Sequence, residues 1–529
     1  MIENPILTGF NPDPSIVRVD EDYYIATSTF EWFPGVQIHH SRDLKHWRLL
    51  THVLTEESQI NMVGDPDSCG IWAPCLTYDN GLFYLIYTDV KSRLGVFKDT
   101  HNYLVTSPSI EGPWSDPVYL NSSGFDPSLF HDEDGRKWLV NMLWDHRTKH
   151  NSFGGIVLQE YSVQQRKLIG ERKNIFLGTP IKSTEAPHLY KRNGYYYLLT
   201  AEGGTGYEHA ATMARSKSIL GPYEIDPQNP ILTSSKRKEL YLQKAGHGCI
   251  VETQAGEWAM VHLVGRPVAD DFCILGRETA IQKMEWNEEG WLRIKGGDNA
   301  PNHRIQEFSL PEHTFPAEPD IDHFISSKLG IHWNTLRLPA EETWLTLTER
   351  PGYLRLRGRE SFNSKHRQSL VARRQQGMNC EAETMLEFQP DHFQQMAGMV
   401  LYYDTQDYVY LRVSRDELLG KCLGIVRTVN GKWEEFSDSE ISIEQAESCK
   451  LKFVIVGRNA CCYYAINGGE WTPIGPKLDI LHLSDEGGDF IRFTGNFIGL
   501  CVQDLSGTGK HADFDYFRYT EQSINPVGL

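Results

Sequence analysis

The chain has 529 residues, 40% hydrophobic and 23% charged, which is enough for two or three globular domains with the composition of a soluble protein. Its net charge of −18 argues against a nucleic-acid or anionic-membrane partner, because both require a basic surface. No stretch approaches the roughly 20 apolar residues needed to cross a bilayer, and the first residues lack the pattern of a secretion signal. We therefore expect a cytoplasmic protein with neither kind of partner.

The ten cysteines are few for this length, and they form no Cys-x-x-Cys pair. This spacing predicts neither a disulfide framework nor a zinc site. Reduced, mostly buried thiols are the expected state.

One pattern recurs five times in the first 300 residues. Each copy is a short apolar strand, then a turn and an aromatic-rich strand, and four of the five turns contain glycine. The copies begin at Asp13, Ala73, Asp126, Ala186 and His247, with spacings of 60, 53, 60 and 61 residues. Repeated β-hairpin units of this length are typical of propeller blades, so we predict a five-bladed β-propeller over residues 1–300. Helical periodicity is scarce, which argues against a (β/α) barrel.

The composition and the hydrophobic pattern of the sequence change after the fifth repeat. Residues 301–321 are polar and proline-rich, and we predict a linker there. Residues 322–529 contain closely spaced strands of alternating polarity, which predict an antiparallel β-sandwich. We find no group of candidate catalytic residues in that part, so a sugar-binding or purely structural domain is expected.

The propeller brings equivalent positions of the repeat together at one mouth of its channel. Three of the five inner strands begin with a carboxylate, namely Asp13, Asp126 and Glu185, and the others contribute Trp72 and His247. Hydrolysis of a glycosidic bond needs one protonated and one ionised carboxyl group, and crowded acids acquire unequal pKa values. The three acids therefore indicate a glycosidase site. The alternative is that they are incidental and that the propeller is a carbohydrate-binding or protein-interaction module.

Four ordered motifs resemble glycoside hydrolase family 43, most closely its two-domain β-xylosidases. They are Gly9–Ser15, Trp72–Pro74, Gly124–Ser128 and Thr184–Tyr190. The resemblance covers essentially the whole chain and implies an all-β protein, a five-bladed propeller followed by a jelly-roll, concanavalin-like sandwich. It implies that Asp13 is the general base, that Glu185 is the general acid and that Asp126 raises the pKa of Glu185. It also implies inversion of the anomeric centre, with the catalytic carboxyls roughly 6.5–9.5 Å apart.

The resemblance extends to the substrate pocket. Aromatic residues are expected to form its apolar walls, Arg277 to bind sugar hydroxyls, Thr205 to lie near the acid, and Phe497 of the sandwich to reach the mouth of the pocket. The expected binding residues are Phe30, Trp72, Ala73, Phe125, Thr205, His247, Arg277 and Phe497.

His247 has two interpretations. Some relatives bind calcium or another divalent ion through such a histidine, but no clear set of oxygen ligands is readable around it here. We therefore favour a histidine bonded to water or to a catalytic carboxylate, and we expect no required cofactor and no metal site, with calcium near His247 as the alternative.

The resemblance implies an exo-acting β-1,4-xylosidase of xylan degradation that releases xylose from the non-reducing ends of xylo-oligosaccharides, with side activity on α-L-arabinofuranosides. A primary α-L-arabinofuranosidase is the nearest rival. A retaining fructosidase is disfavoured, because its Asn-Asp-Pro-Asn signature is replaced by Asn11-Pro12-Asp13-Pro14. A homo-oligomer, dimer or tetramer, is expected because such assemblies are common among relatives.

Overall fold

The structure is a computed structural model that describes residues 1–522. Two compact units make up the chain: Met1–Arg266 with Arg277–Phe315, and Pro267–Gly276 with the residues from Pro316 onward. Within the described range the regular structure is β, apart from one short 3-10 helix at Ser437–Ser439. None of the helices in that range is long and apolar enough to cross a membrane.

The first unit contains five antiparallel sheets of four or five strands, and these are the predicted propeller blades. Blade 1 is Ser15–Val19, Asp22–Thr27, Gly35–Ser41 and Arg48–Leu54; blade 2 is Gly70–Asp79, Leu82–Ser92, Asp99–Ser107 and Val118–Asn121; blade 3 is Ser128–His131, Lys137–Trp144, Phe153–Ser162 and Lys167–Phe176; blade 4 is Glu185–Arg192, Tyr195–Glu202, Ala210–Ser216, Glu224–Ile225 and Leu232–Thr233; blade 5 is Gln243–Glu252, Trp258–Gly265, Arg277–Trp286 and Leu292–Ile294. The five-bladed propeller is therefore confirmed.

The first strand of each blade lies innermost, and these five strands form a closed ring. Hydrogen bonds join them in turn: Leu76 N to Ser15 Oγ (3.0 Å), Thr77 Oγ1 with His131 Nε2 (2.8 Å), Ser128 Oγ to Pro187 O (2.5 Å), Ile250 N to the Tyr190 hydroxyl (3.0 Å) and Ile16 N to Cys249 Sγ (3.4 Å). Because blade 5 contacts blade 1 directly, residues far apart in the sequence meet around the channel.

The N-terminal segment closes the ring before the first blade begins. It runs beside the third strand of blade 5, Arg277–Trp286, where Leu7 forms a β-bridge and the Asn11 amide donates to the Arg277 carbonyl at 3.0 Å. Two residues later the chain reaches Asp13. Closure of the propeller thus places Asp13 beside Arg277, although 264 positions separate them.

Asn4 anchors this closing segment, and we expect Asn4→Ala to lower the free energy of unfolding by about 2–4 kcal/mol. Its buried amide bonds the Ile281 carbonyl (2.8 Å), the Ile281 amide (2.8 Å) and the Asn302 carbonyl (2.9 Å), and alanine would leave these groups without partners. Chemical denaturation measures the change. Gln164→Ala, at an exposed position in blade 3, is the control, and equal stability of the two variants would contradict the anchoring role.

Residues just after position 300 also pack on the propeller. Arg304–Ile305 pairs with Ile2–Glu3, and Phe308 is buried with Ile2 in one hydrophobic cluster. This stretch falls within the predicted linker, and it adds a two-stranded sheet beside the closing segment.

The second unit consists of two antiparallel sheets that pack face to face. The first has the order Leu345–Thr346, Leu354–Arg357, His511–Glu521, Asn379–Glu387, Cys449–Val456, Asn459–Ile466 and Thr472–Asp479, with Ile321–Asp322 beside His511–Glu521. The second has the order Lys432–Glu435, Gly420–Val429, Asp407–Asp416, Gln395–Asp404, Phe497–Asp504, Ser369–Arg374 and Asn334–Leu336, with Ile441–Ser442 beside Gly420–Val429. Leu356 and Leu451 of one sheet share a fully buried core with Leu411 and Leu500 of the other. The predicted β-sandwich is therefore confirmed.

All ten cysteines are free thiols, and nine of them are buried. Burial raises the pKa of several of these thiols, including that of Cys75 to about 12. The thiols with a raised pKa are therefore protonated and unreactive at neutral pH.

Candidate active site

The repeat places a strained residue near the start of each inner strand, from two residues before the strand to its fifth residue. Asp13, Ala73, Asp126, Ala186 and His247 all have a left-handed backbone, with φ between 37° and 56°. Such a conformation is costly for residues other than glycine and persists where the surrounding structure enforces it. Pairing is irregular at these points in blades 2, 4 and 5, as expected of β-bulges, which redirect side chains. The five positions therefore share one local geometry at one end of the channel.

Asp13 is buried among groups that favour its ionised form. Its Oδ1 accepts a hydrogen bond from Arg277 Nη1 at 3.0 Å, and its Oδ2 accepts one from Ser28 Oγ at 2.7 Å. His247 Nδ1 lies 3.7 Å from Asp13 Oδ1. Burial opposes ionisation, but Arg277, His247 and the Ser28 hydroxyl outweigh it and hold the pKa of Asp13 below its ordinary value. Asp13 is therefore a carboxylate at neutral pH.

Asp126 and Glu185 are shifted in the opposite direction. Burial and the negative charge of Asp13 raise the pKa of Asp126 to about 8, despite a hydrogen bond from the Ala186 backbone. Burial, Asp126 and Asp13 raise the pKa of Glu185 well above its ordinary value. The pair thus holds protons at a pH where Asp13 has none. Glu185 is partly accessible, so a ligand can reach it.

Aromatic rings pack in a continuous series beside Arg277. Phe30 lies 5.7 Å from Phe10 and 5.8 Å from Trp72, and Trp72 lies 5.5 Å from Phe125 in an edge-to-face arrangement, all between ring centroids. The Arg277 guanidinium is 5.3 Å from the Phe30 centroid, which is the geometry of a cation–π contact. An apolar wall therefore meets the polar groups around Asp13.

Short hydrogen-bond relays hold the polar groups in place. Thr205 Oγ1 accepts from the same Arg277 Nη1 that binds Asp13, also at 3.0 Å. The Ala73 amide donates to Ser28 Oγ at 2.7 Å, and this directs the Ser28 hydroxyl proton toward Asp13. The predicted residues Thr205 and Ala73 thus act on Asp13 through Arg277 and Ser28.

Two residues of this site were not predicted. Ser28 follows the second strand of blade 1 and Phe10 lies in the closing segment, and neither occupies the repeated position that identified the acids. Ser28 lies between two other hydroxyl residues, Thr27 and Thr29, so its sequence context offers no signal. Phe10 belongs to the Gly9–Ser15 motif and could have been found there.

Around His247 the described side chains do not form a cation site. Asp13 is the carboxylate that faces its ring, whereas calcium normally takes six to eight oxygen ligands. Among residues 1–522 we find no group of three or more histidine, cysteine, aspartate or glutamate residues arranged to hold a metal ion. The absence of a required cofactor stays a prediction, with calcium near His247 as its alternative.

Phe497 belongs to the second unit, where it begins the strand Phe497–Asp504. It is fully buried, and the Arg374 guanidinium lies 5.2 Å from its ring centroid. Its predicted place at the mouth of the pocket stays a prediction.

The fold and the site define the class of protein. A propeller channel holds one ionised carboxylate and two protonated carboxyl groups beside an aromatic wall and an arginine. Paired carboxyl groups in opposite protonation states are the apparatus with which a glycoside hydrolase cleaves an acetal.

Comparison with known proteins identifies the family. The model of glycosyl hydrolases family 43 matches residues 2–292, and that of the β-xylosidase C-terminal concanavalin A-like domain matches residues 321–520. The chain belongs to glycoside hydrolase family 43, and the predicted concanavalin-like character of the sandwich is confirmed.

Several characterised proteins are similar along their whole length. A β-xylosidase of Bacillus subtilis is 51% identical, over 98% of this chain and 100% of that protein. A xylosidase/arabinosidase 43B of Humicola insolens is also 51% identical, over 98% of this chain and 97% of that protein. The crystal structure of a xylan β-1,4-xylosidase from Bacillus halodurans is 61% identical and covers 98% of this chain and 100% of its own, with a TM-score of 0.98.

Proposed function

We propose that this chain is an exo-acting, inverting β-1,4-xylosidase that releases xylose from the non-reducing ends of xylo-oligosaccharides. Two of the similar proteins support the substrate, because their names specify β-xylosides, and the aromatic rings beside Arg277 suit contact with a sugar. Opposite protonation of Asp13 and Glu185 in one pocket is the observation that carries the proposal.

Asp13 is the proposed general base. Its carboxylate, oriented by Arg277 and Ser28, takes a proton from a water molecule while the water oxygen bonds to the anomeric carbon. Glu185 is the proposed general acid, and it gives its proton to the glycosidic oxygen as the bond from that oxygen to the anomeric carbon breaks. The base is regenerated by loss of its proton to solvent and the acid by gain of one.

Asp126 is proposed to keep Glu185 protonated between turnovers. The two groups interact strongly, and the Ala186 amide that bonds Asp126 directly follows Glu185 in the chain. Phe30, Trp72 and Phe125 are proposed to pack against the sugar, while Arg277 binds its hydroxyls.

The proposal predicts which anomer forms in excess. Proton NMR during hydrolysis of xylobiose should show an early excess of α-xylose over the equilibrium anomer mixture, because a single displacement inverts the β-linkage of the terminal sugar while the reducing-end xylose contributes both anomers. An early excess of β-xylose over that mixture would contradict the role of Asp13 as a base. Absence of hydrolysis would contradict the substrate assignment.

The rival function is that of a primary α-L-arabinofuranosidase. It is favoured by the names of some relatives, such as the double name of the Humicola insolens protein. The values of kcat/KM for 4-nitrophenyl β-D-xylopyranoside and 4-nitrophenyl α-L-arabinofuranoside decide between the two. We expect the xyloside to be preferred, and the reverse order would favour the rival.

Asp126→Asn should move the basic limb of the pH profile to lower pH. After burial, the Asp126 charge is the largest cause that raises the pKa of Glu185, so its removal makes Glu185 lose its proton at lower pH. Activity falls once the acid is deprotonated, and a lower pKa therefore means an earlier loss as pH rises. The acidic limb, set by Asp13, should stay in place. The measurement is kcat/KM against pH, and a basic limb that is unmoved or displaced upward would contradict this role of Asp126.

A further inference from the structure

Glu202 is a fully buried carboxylate that no step of the proposed reaction uses. It ends the second strand of blade 4, Tyr195–Glu202, and its partners are an amide and two hydroxyls. Oε1 accepts from Thr179 N and from Thr184 Oγ1, both at 2.9 Å, and Oε2 accepts from Thr179 Oγ1. Both ends of the segment that leads into Glu185 are thus bound to one side chain.

This segment, residues 178–184, is strained. Lys182 and Ser183 both have a left-handed backbone, with φ of 72° and 54°. Gly178 has φ of 90°, and a Cβ there would lie 2.0 Å from Thr184 Oγ1. Consecutive residues in this conformation persist where other contacts hold them. The hydrogen bonds to Glu202 are contacts of that kind, and they lie immediately before Glu185.

The residue after Glu202 connects the same segment to the other half of the site. Gly203 donates its amide to the Lys182 carbonyl at 2.8 Å, and a Cβ on Gly203 would lie 2.0 Å from the Glu208 carbonyl oxygen. Thr205, two residues further on, binds Arg277. Glu202 therefore stands where the segment before Glu185 crosses the segment that supports Arg277 and, through it, Asp13.

We infer that Glu202 is a positioning residue for the general acid, holding residues 178–184 in the conformation that directs Glu185 at the glycosidic oxygen. The inference rests on the proposed function of Glu185. Glu202 need not touch the substrate, since it acts through Thr179 and Thr184. Its loss should impair proton donation more than any other step.

The choice of leaving group isolates proton donation. A xylose leaving group departs as a poorly stabilised alkoxide unless Glu185 protonates it, whereas 2,4-dinitrophenolate departs unaided. A displaced acid therefore slows xylobiose hydrolysis and spares 2,4-dinitrophenyl β-D-xyloside. General damage to the fold or to sugar binding slows both substrates alike.

Two variants test the inference in the full-length protein. Glu202→Gln keeps the size of the side chain but removes its charge, and Thr184→Val removes the hydroxyl bond nearest Glu185 with little change of shape. We expect kcat on xylobiose to fall about 10- to 100-fold in Glu202→Gln and less in Thr184→Val, with a change below about threefold on the dinitrophenyl xyloside. If Glu202→Gln does not fold, Thr184→Val alone carries the test.

Asp226→Asn is the matched control, because Asp226 is a buried carboxylate of the same blade that is bonded by Arg293 and lies outside the pocket. Its ratio of activities on the two substrates should equal that of the parent. If Glu202→Gln and Thr184→Val lower kcat equally on both substrates, or on neither, Glu202 does not position the acid. Glu185→Gln is measured beside them. If it also loses the same activity on both substrates, the proposed role of Glu185 fails. If Glu185→Gln alone loses more activity on xylobiose than on the dinitrophenyl xyloside, only the inference about Glu202 is overturned.

Discussion

Glu185→Gln is expected to reduce kcat on xylobiose by about 100- to 10,000-fold, which is the usual contribution of general acid catalysis. Glutamine matches the shape of the protonated acid but has no proton of comparable acidity to give. Because glutamine has nearly the same size as glutamic acid, we expect the loss to report proton donation rather than rearrangement. Steady-state kinetics on xylobiose and on 2,4-dinitrophenyl β-D-xyloside measure it.

The pH profile adds an independent test. With the acid removed, the residual hydrolysis of xylobiose should lose its basic limb, because the group whose deprotonation caused that limb is absent. Glu257→Gln is the control, since Glu257 is ion-paired with Lys283 in blade 5 and takes no part in the proposed mechanism. Retention of full activity on xylobiose by Glu185→Gln would exclude it as the acid.

The expected loss of activity and the expected change of the pH profile assume that Asp13 and Glu185 lie at one site. The sequence could predict this proximity. The two residues occupy nearly the same phase of a repeat in blades 1 and 4, and a closed ring brings equal phases together. The structure adds the reason that equivalent positions of the repeat can hold a base in one blade and an acid in another. Asp13 accepts hydrogen bonds from Arg277 and Ser28, which keep it ionised. At Glu185, burial and the neighbouring charges of Asp126 and Asp13 outweigh the charge of Arg277 and raise the pKa.

Other parts of the site could not be read in advance. The left-handed backbone at Ala73 and Ala186 has no signature in residue type, since alanine is not favoured there. Glu202 stands at the end of an ordinary strand pattern, and only the fold reveals that a segment from before Glu185 closes over it. Long-range closure, rather than local propensity, determines these contacts.

The sequence likewise predicts one feature of the domain organisation and misses another. The composition change near residue 320 was visible, because strand spacing and proline content alter there. Residues Pro267–Gly276 interrupt blade 5 and belong to the second unit, yet they carry no distinct composition. Such an excursion is set by which surface the loop packs on, and a single sequence does not encode this in any local pattern.

Asp13→Ala is expected to abolish detectable hydrolysis of xylobiose, with a loss of at least about 100- to 10,000-fold in kcat. The variant removes the carboxylate that takes the proton from water and leaves Arg277 and His247 facing a small polar gap. This gap and the positive charge of Arg277 suit a small anion that needs no base. Azide should therefore restore turnover of an activated xyloside and form α-xylosyl azide, which NMR identifies by its anomeric configuration.

The configuration of the azide product makes this experiment decisive. Attack from the side of residue 13 inverts the β-linkage, so the α product requires that Asp13 borders the position of the attacking water. Formation of β-xylosyl azide would mean that the nucleophile enters from the other face, and Asp13 would then not be the base. Asp22→Asn serves as the matched control, because Asp22 is a carboxylate of the same blade that binds His40 and Arg42 outside the pocket. The Asp22→Asn variant should hydrolyse xylobiose at the parent rate, and azide should not increase its turnover, since the Asp13 carboxylate is intact.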